Sequence, residues 1–183
     1  VKLTGQKVVV GGDIRLSTPG FMRIMLDTLA ESGCEVVDIG TVATPVFYHA
    51  LQITNATGGV MVTASHNPGP YNGFKLVLGP QPVSEDDIKE IAAMVERGER
   101  ILGQGRIITQ PMVASYIEAT SAKAQPSDLK VVVDAGNGAT SSIGPALFRA
   151  AGYEVVEFFF KSDGNFPYPS PNPLSSKNLV LLV

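Results

Sequence analysis

The chain has 183 residues, 44% hydrophobic and 17% charged, with a net charge of −3. That balance describes a folded protein with a sizeable core rather than a disordered one, long enough for one large domain or two small ones. The mildly acidic total gives no field to draw nucleic acid or an anionic membrane surface, and no apolar run approaches the roughly 20 residues a spanning helix needs.

In chain order, strand and helix alternate. Lys7-Val8-Val9-Val10 reads as a short buried strand. Thr18-Pro19 has the form of an N-cap followed by proline in the first helical turn, where its missing N–H costs nothing. The helix it opens runs to about Ser32, stops at Gly33, and carries Met22, Met25, Leu26 and Leu29 on one face. Cys34, the single cysteine, excludes an intrachain disulfide and reads as a small buried hydrophobe. Glu35 to Ile39 is the next strand, and Thr44-Pro45 repeats the cap-plus-proline device before a helix to about Ile53.

Gly58-Gly59-Val60-Met61-Val62 is a β-branched strand that ends abruptly in Thr63-Ala64-Ser65-His66-Asn67-Pro68. Asn67-Pro68 forces a turn, because the residue before proline is pushed out of the helical region. Asn72 to Leu78 reads as the returning strand, which would make the first sheet mixed, and it carries Lys75. Further on, Ser84-Glu85-Asp86-Asp87 has the form of a capping box with aspartate in the acidic position. Ile88, Ile91, Ala92 and Val95 then give that helix one apolar face. Gly98 to Gly105 reads as a loop, and a helix near Met112 to Lys123 as a bridge to a second unit. After the turn-rich Gln125-Pro126-Ser127-Asp128 come a strand (Lys130 to Asp134), a Gly-rich turn, a helix (about Thr140 to Ala150) and a strand (Tyr153 to Phe159). A proline-rich segment, Phe166 to Pro173, follows. The expected class is α/β, with one unit over 1–110 and the start of a second over 111–183.

Chemistry concentrates at Ser65. A serine at a turn and a lysine on the returning strand suit a shared phosphate, although a turn serine also commonly bonds its own backbone. His66 adjoins Ser65 too closely in sequence to take its proton easily, and either shapes the loop, meets phosphate or packs. Asn67 suits capping the turn through its side-chain oxygen, and Lys75 either faces solvent or meets phosphate. Asp13 and Arg15 read as an ion pair or a capping arrangement at a β–α junction. Asp134-Ala135-Gly136-Asn137-Gly138 could offer an anion a helix N-terminus, but it lacks a nucleotide-binding pattern and reads better as a structural turn.

The stretch Thr63 to Lys75 (T-A-S-H-N-P-G-P-Y-N-G-F-K) resembles the phosphoserine loop of the α-D-phosphohexomutases, the phosphomannomutase/phosphoglucomutase family. Gly11-Gly12-Asp13-Ile14-Arg15-Leu16-Ser17, Val131 to Gly138 and Asp163-Gly164-Asn165-Phe166-Pro167 agree with it in the same order. The resemblance implies two α/β units of shared topology within a parent of four domains. It also implies interconversion of hexose 6-phosphate and hexose 1-phosphate, with mannose and glucose favoured. Ser65 would carry the transferable phosphate, with His66 and Lys75 as site residues and Asn67 and Arg15 shaping the loop. A magnesium ion on the Ser65 phosphate is implied, its remaining ligands lying outside this chain, and so is glucose or mannose 1,6-bisphosphate as activator. The expected partners are the hexose phosphate and the missing domains of the same parent, with no nucleic acid or membrane, and the cytoplasm is the expected location. Val1-Lys2-Leu3-Thr4-Gly5 does not read as a signal peptide.

Departures from the family pattern matter as much. Gly12 stands where many relatives carry arginine and Ile14 where glycine is common, while Tyr168-Pro169-Ser170-Pro171 has proline and serine where histidines are usual. The aspartate-rich D-G-D-x-D-R segment, the sugar-reading loop, the distal phosphate loop and the leading tyrosine-and-arginine segment are absent. The chain is therefore expected to be a fragment, almost inactive alone because the metal carboxylates and the distal clamp are missing. Phosphoglucosamine mutase is the nearest rival, and a non-catalytic sugar-phosphate-binding module is another. A serine hydrolase would want G-x-S-x-G and would need His49 to approach Ser65.

Overall fold

The computed structural model describes residues 5–79, 81–125, 127–167, 172 and 175–178. Most of the proline-rich segment, including Tyr168 to Pro171, lies outside the described residues, as does Pro126.

Six strands form the first sheet, in the order β5-β4-β3-β1-β2-β6: β1 (Lys7–Gly12), β2 (Glu35–Thr41), β3 (Gly58–Val62), β4 (Phe74–Leu78), β5 (Gln81–Pro82) and β6 (Arg106–Thr109). The four strands β3, β1, β2 and β6 pair in parallel, whereas β4 returns antiparallel to β3 and β5 to β4. The sheet is mixed, and its class is α/β. Period-2 alternation divides the core between two faces. Val8, Val10, Val36 and Val62 meet Met22 and Leu26 of α1 (Thr18–Glu31), with Cys34 among them. Burial pushes the Cys34 thiol pKa up. On the opposite face Val9, Val37, Ile39, Met61 and Val77 meet Val46, Phe47 and Ala50 of α2 (Thr44–Ile53). Gly59 sits under the Phe47 ring, where an added Cβ would lie 2.8 Å from ring carbons.

Both threonine-proline pairs differ from expectation in one detail. Thr18 and Thr44 are the first residues of their helices, and the caps are Ser17 and Ala43, neither with a side-chain bond to the helix. Thr18 instead spends its hydroxyl on Asp13, at 2.8 Å. The capping box at Ser84 is present, with Asp87 accepting from the Ser84 backbone at 2.8 Å and donating its own N–H to Ser84 Oγ. Its helix, α3 (Glu85–Glu96), carries the expected apolar residues but leaves that face largely open, with Ile88 53% and Val95 73% exposed. Periodicity makes the helix but does not say what covers it. Strand β6 follows directly on the Gly98 to Gly105 loop, at residues for which no element was predicted. Arg106 docks it to β2 through Glu35, whose carboxyl pKa is lowered chiefly by that hydrogen bond.

The helix α4 (Val113–Ser121) packs Val113, Tyr116 and Ile117 on the α2 side of the first core, joined there by Met112 and Ile143. Beyond it, β7 (Lys130–Asp134) and β8 (Glu154–Phe158) pair in parallel. Between them the expected single helix is divided into a 3-10 turn, Ala139–Ser142, and α5 (Gly144–Ala150) with Pro145 in its first turn. A proline there cannot extend a helix backward without losing a bond.

Candidate functional site

In the first sheet, β1 and β3 are neighbours whose chains continue in opposite directions across the sheet, toward β2 and toward β4. Open α/β sheets bind ligands outside the strand ends at such a reversal. Here the two loops that flank it are Asp13–Ser17 after β1 and Thr63–Gly73 after β3, stitched together by Asp13 N–H donating to Val62 O at 2.9 Å.

Arg15 is the hub, with a side chain 0% exposed. Its Nε donates to Asp13 Oδ2 at 2.9 Å, and its two terminal nitrogens donate to four carbonyls of the second loop: Pro68 and Tyr71 (2.8 and 2.9 Å), Ser65 and Asn67 (2.8 and 2.9 Å). A planar guanidinium with five N–H donors in a fixed fork suits this bracing of backbone oxygens. Asp13 fixes the fork in turn. Its Oδ1 accepts from Arg15 N–H (3.0 Å) and Thr18 Oγ1, and its Oδ2 also accepts from Thr63 Oγ1 (2.7 Å). Thr63 Oγ1 then accepts the Ser65 N–H at 2.9 Å.

Held this way, Ser65 takes φ 57°, a left-handed conformation uncommon for a residue with a Cβ. It stands exposed at the loop's outer turn, as do His66 and Asn67. Asn67 departs from the expected cap: its amide nitrogen, not its oxygen, makes the turn bond, donating to Ala64 O at 3.0 Å. Asn72 donates to Ser17 Oγ and Thr18 Oγ1 (2.9 and 3.0 Å), closing the far end of the loop onto α1. Lys75 pairs with Met61 in the β3–β4 register, so its side chain leaves on the α2 face, half-buried. Neither the Lys75 nor the His66 side chain has a hydrogen-bond or ion-pair partner among the described residues, and neither bonds Ser65.

Sequence reasoning named Ser65, His66, Asn67, Lys75 and Arg15 but gave no place in the site to Thr63 or Asn72, and read Thr18 only as a helix cap. A β-branched hydroxyl residue at the end of a strand was the available signal for Thr63. His49 is elsewhere, its Nε2 3.2 Å from Ser115 Oγ and its ring against Tyr116. A hydrolase triad on Ser65 has no histidine to build on. No three His, Cys, Asp or Glu side chains cluster to hold a metal among the described residues, and Asp13 already accepts four hydrogen bonds. These residues do not form a magnesium site by themselves.

The Asp134 to Gly138 turn spends most of its polar groups on protein, although Asn137 Oδ1 is buried without a hydrogen-bond partner among the described residues. Asp134 Oδ1 accepts from Gly136 N–H at 2.8 Å, and Asn137 Nδ2 donates to Lys161 O at 2.8 Å.

Comparison with known proteins decides the family. The family model for phosphoglucomutase/phosphomannomutase α/β/α domain I matches residues 2–102, and that for domain II matches residues 112–183. The chain belongs to this family. It is 37% identical to the phosphomannomutase/phosphoglucomutase of Pseudomonas aeruginosa PAO1 over 96% of its own length and 38% of that protein's. It is 34% identical to a phosphoglucomutase of Neisseria gonorrhoeae, over 97% of this chain and 39% of the relative. The crystal structure of a phosphoglucomutase/phosphomannomutase family protein from Burkholderia thailandensis superposes with a TM-score of 0.89 at 37% identity, covering 96% of this chain and 40% of that one. The chain thus spans about two fifths of the proteins it matches.

Proposed function

We propose that this chain supplies the phosphate-carrying loop of a phosphohexomutase. Its reaction is the interconversion of hexose 6-phosphate and hexose 1-phosphate, on mannose and glucose, by the full-length protein that contains it. The observation that supports this most is the exposed Ser65 hydroxyl at the sheet's reversal point, on a loop whose four carbonyls are fixed by one buried guanidinium.

Phosphoryl transfer gains most from positioning and electrostatics, and the loop meets the first need. A phosphate on Ser65 Oγ would carry about −1.5 to −2 charges, and Arg15 keeps the outward turn from collapsing onto it. In the forward half-reaction the P–O bond to Ser65 Oγ breaks as a sugar hydroxyl oxygen bonds the phosphorus, and the proton that hydroxyl gives up is balanced by one taken up at Ser65 Oγ, which returns to a free hydroxyl. The product is a hexose 1,6-bisphosphate. After the sugar turns end for end, its other phosphoryl group returns to Ser65, so phosphate is conserved and the monophosphate isomer leaves. Lys75 and His66 carry side-chain nitrogens unspent on protein among the described residues, and we assign them to the transferring group and the loop. Asn67 and Arg15 shape the loop. A magnesium ion on the Ser65 phosphate would neutralise charge, with its carboxylates supplied from beyond the described residues. Glucose or mannose 1,6-bisphosphate would prime the serine.

The test is turnover of glucose 1-phosphate and mannose 1-phosphate by the full-length protein, primed with a trace of bisphosphate. Both sugars are expected to react, and Ser65→Ala to lower kcat by about three orders of magnitude or more. A full rate in the alanine variant would overturn the reading.

A further inference from the structure

The Arg15 guanidinium has all its edges committed to Asp13 and the loop carbonyls, so only its flat faces remain to be covered. One face is covered from the second unit: the Phe166 ring centroid lies 5.3 Å from Arg15 Cζ. A cation over an aromatic face is attracted by the ring quadrupole, and more so where water is excluded.

Phe166 reaches this place at a conformational cost. Its φ is 50°, in the left-handed region where a bulky residue is a genuine outlier. Such strain persists only where surrounding structure over-determines it, and here three constraints do. Phe166 N–H donates to Asp163 O at 3.0 Å, Asp163 Oδ1 accepts from Asn165 N–H and Nδ2 (2.9 and 2.8 Å), and Asp163 N–H donates to Asn137 O at 3.0 Å beyond the end of β7. The turn is also seated against both loops of the first unit. A Cβ on Gly164 would lie 2.5 Å from Ile14 O and 3.0 Å from Leu16 N. A Cβ on Gly69, in the Ser65 loop, would touch the Phe166 ring at 3.4 Å.

We propose that the Asp163–Phe166 turn is a positioning element for the Ser65 loop: Phe166 closes the open face of Arg15 and so couples the shape of that loop to the seating of the second unit. Phe166 touches no reacting atom and acts through Arg15. The consequence for phosphate transfer rests on the function proposed above, whereas the coupling itself does not.

The test compares Phe166→Tyr, which keeps an aromatic face, with Phe166→Leu, which keeps apolar bulk without one, in the isotopically labelled 183-residue chain. The ring is expected to shift the Arg15 Nε–H resonance. That shift should survive in F166Y and vanish in F166L. Exchange of the Asn67 and Tyr71 amides should quicken about 3- to 10-fold in F166L, while the Val9 and Met61 amides stay at wild-type rates. If F166L fails to fold, Gly164→Ala lifts the turn off the Ile14 carbonyl with the ring chemistry intact and should give the same loss. An unchanged Arg15 signal and unchanged loop exchange in F166L, or in G164A in its place, would overturn the proposal. So would a Tyr variant that behaves like the Leu variant. No phosphate is needed for these readouts, so they stand or fall separately from turnover by Ser65.

Discussion

Arg15 explains how a serine comes to stand in a left-handed backbone conformation with its hydroxyl turned to solvent. Six residues around it are tied to one side chain, either through Asp13 or through their own carbonyls. Removing that side chain leaves Asp13, 9% exposed, without its cation, and breaking a buried pair from one side costs about 3–5 kcal/mol. Arg15→Met should therefore lower the urea midpoint by a corresponding amount at unchanged m-value, and a loss below about 1 kcal/mol would contradict the hub. Arg15→Lys keeps charge but concentrates its donors on one nitrogen, which does not span four carbonyls. It should lose the loop geometry too, seen as faster exchange of the Asn67 and Tyr71 amides. In the sequence, Asp13 and Arg15 are legible as a local pair, but the loop-bracing role is not, because the acceptors are backbone carbonyls that any residue carries. Ser65 was legible because its loop is a long, ordered run of residue types.

Elements are legible where hydrophobic period and turn chemistry agree. The strands Lys7–Gly12 and Gly58–Val62 and the helix Thr18–Glu31 follow their apolar patterns. Caps are less so: Thr18 has the right hydroxyl for an N-cap, but Asp13 claims it. Strand β6 is short and lies at the sheet edge, where packing gives little pattern. Gly12 shows how closely β1 and α1 approach. A Cβ there would run into Thr18 Cγ2 and lie 2.6 Å from Met22 Sδ. Gly12→Ala should cost about 1–3 kcal/mol by overpacking, checked by chemical denaturation, and a neutral change would contradict that packing. At α3, hydrogen bonds from Ser84 hold the Asp87 carboxyl below its ordinary pKa. A lowered folded-state pKa contributes stability above the unfolded value of about 3.9 and loses it as pH falls through the folded one. Ser84→Ala should return the Asp87 titration midpoint toward that ordinary value by NMR, with acid loosening of the α3 N-terminus no longer tied to it.

At the scale of the whole molecule, the two units are not independent beads. Ile143 of the second is buried in the first unit's core, and Phe166 lies over Arg15. What the chain carries is a braced serine loop and the turn that covers its brace. The family was legible because four motifs stand in order along the chain, whereas the contact between units was not, since nothing in Asp163-Gly164-Asn165-Phe166 announces which surface it meets. The described residues provide no acidic cluster for a metal, so the 183 residues alone are expected to give almost no mutase turnover with magnesium, hexose 1-phosphate and bisphosphate. A rate typical of an enzyme would show that loop and turn suffice. The most direct test of the central claim is a chase of covalent phosphate. Full-length protein is loaded from labelled glucose 1,6-bisphosphate, mapped by peptide mass, and then mixed with unlabelled hexose monophosphate. One phosphoryl group should appear on Ser65 and leave with the sugar. Label on another residue, or label on Ser65 that does not chase, would contradict it.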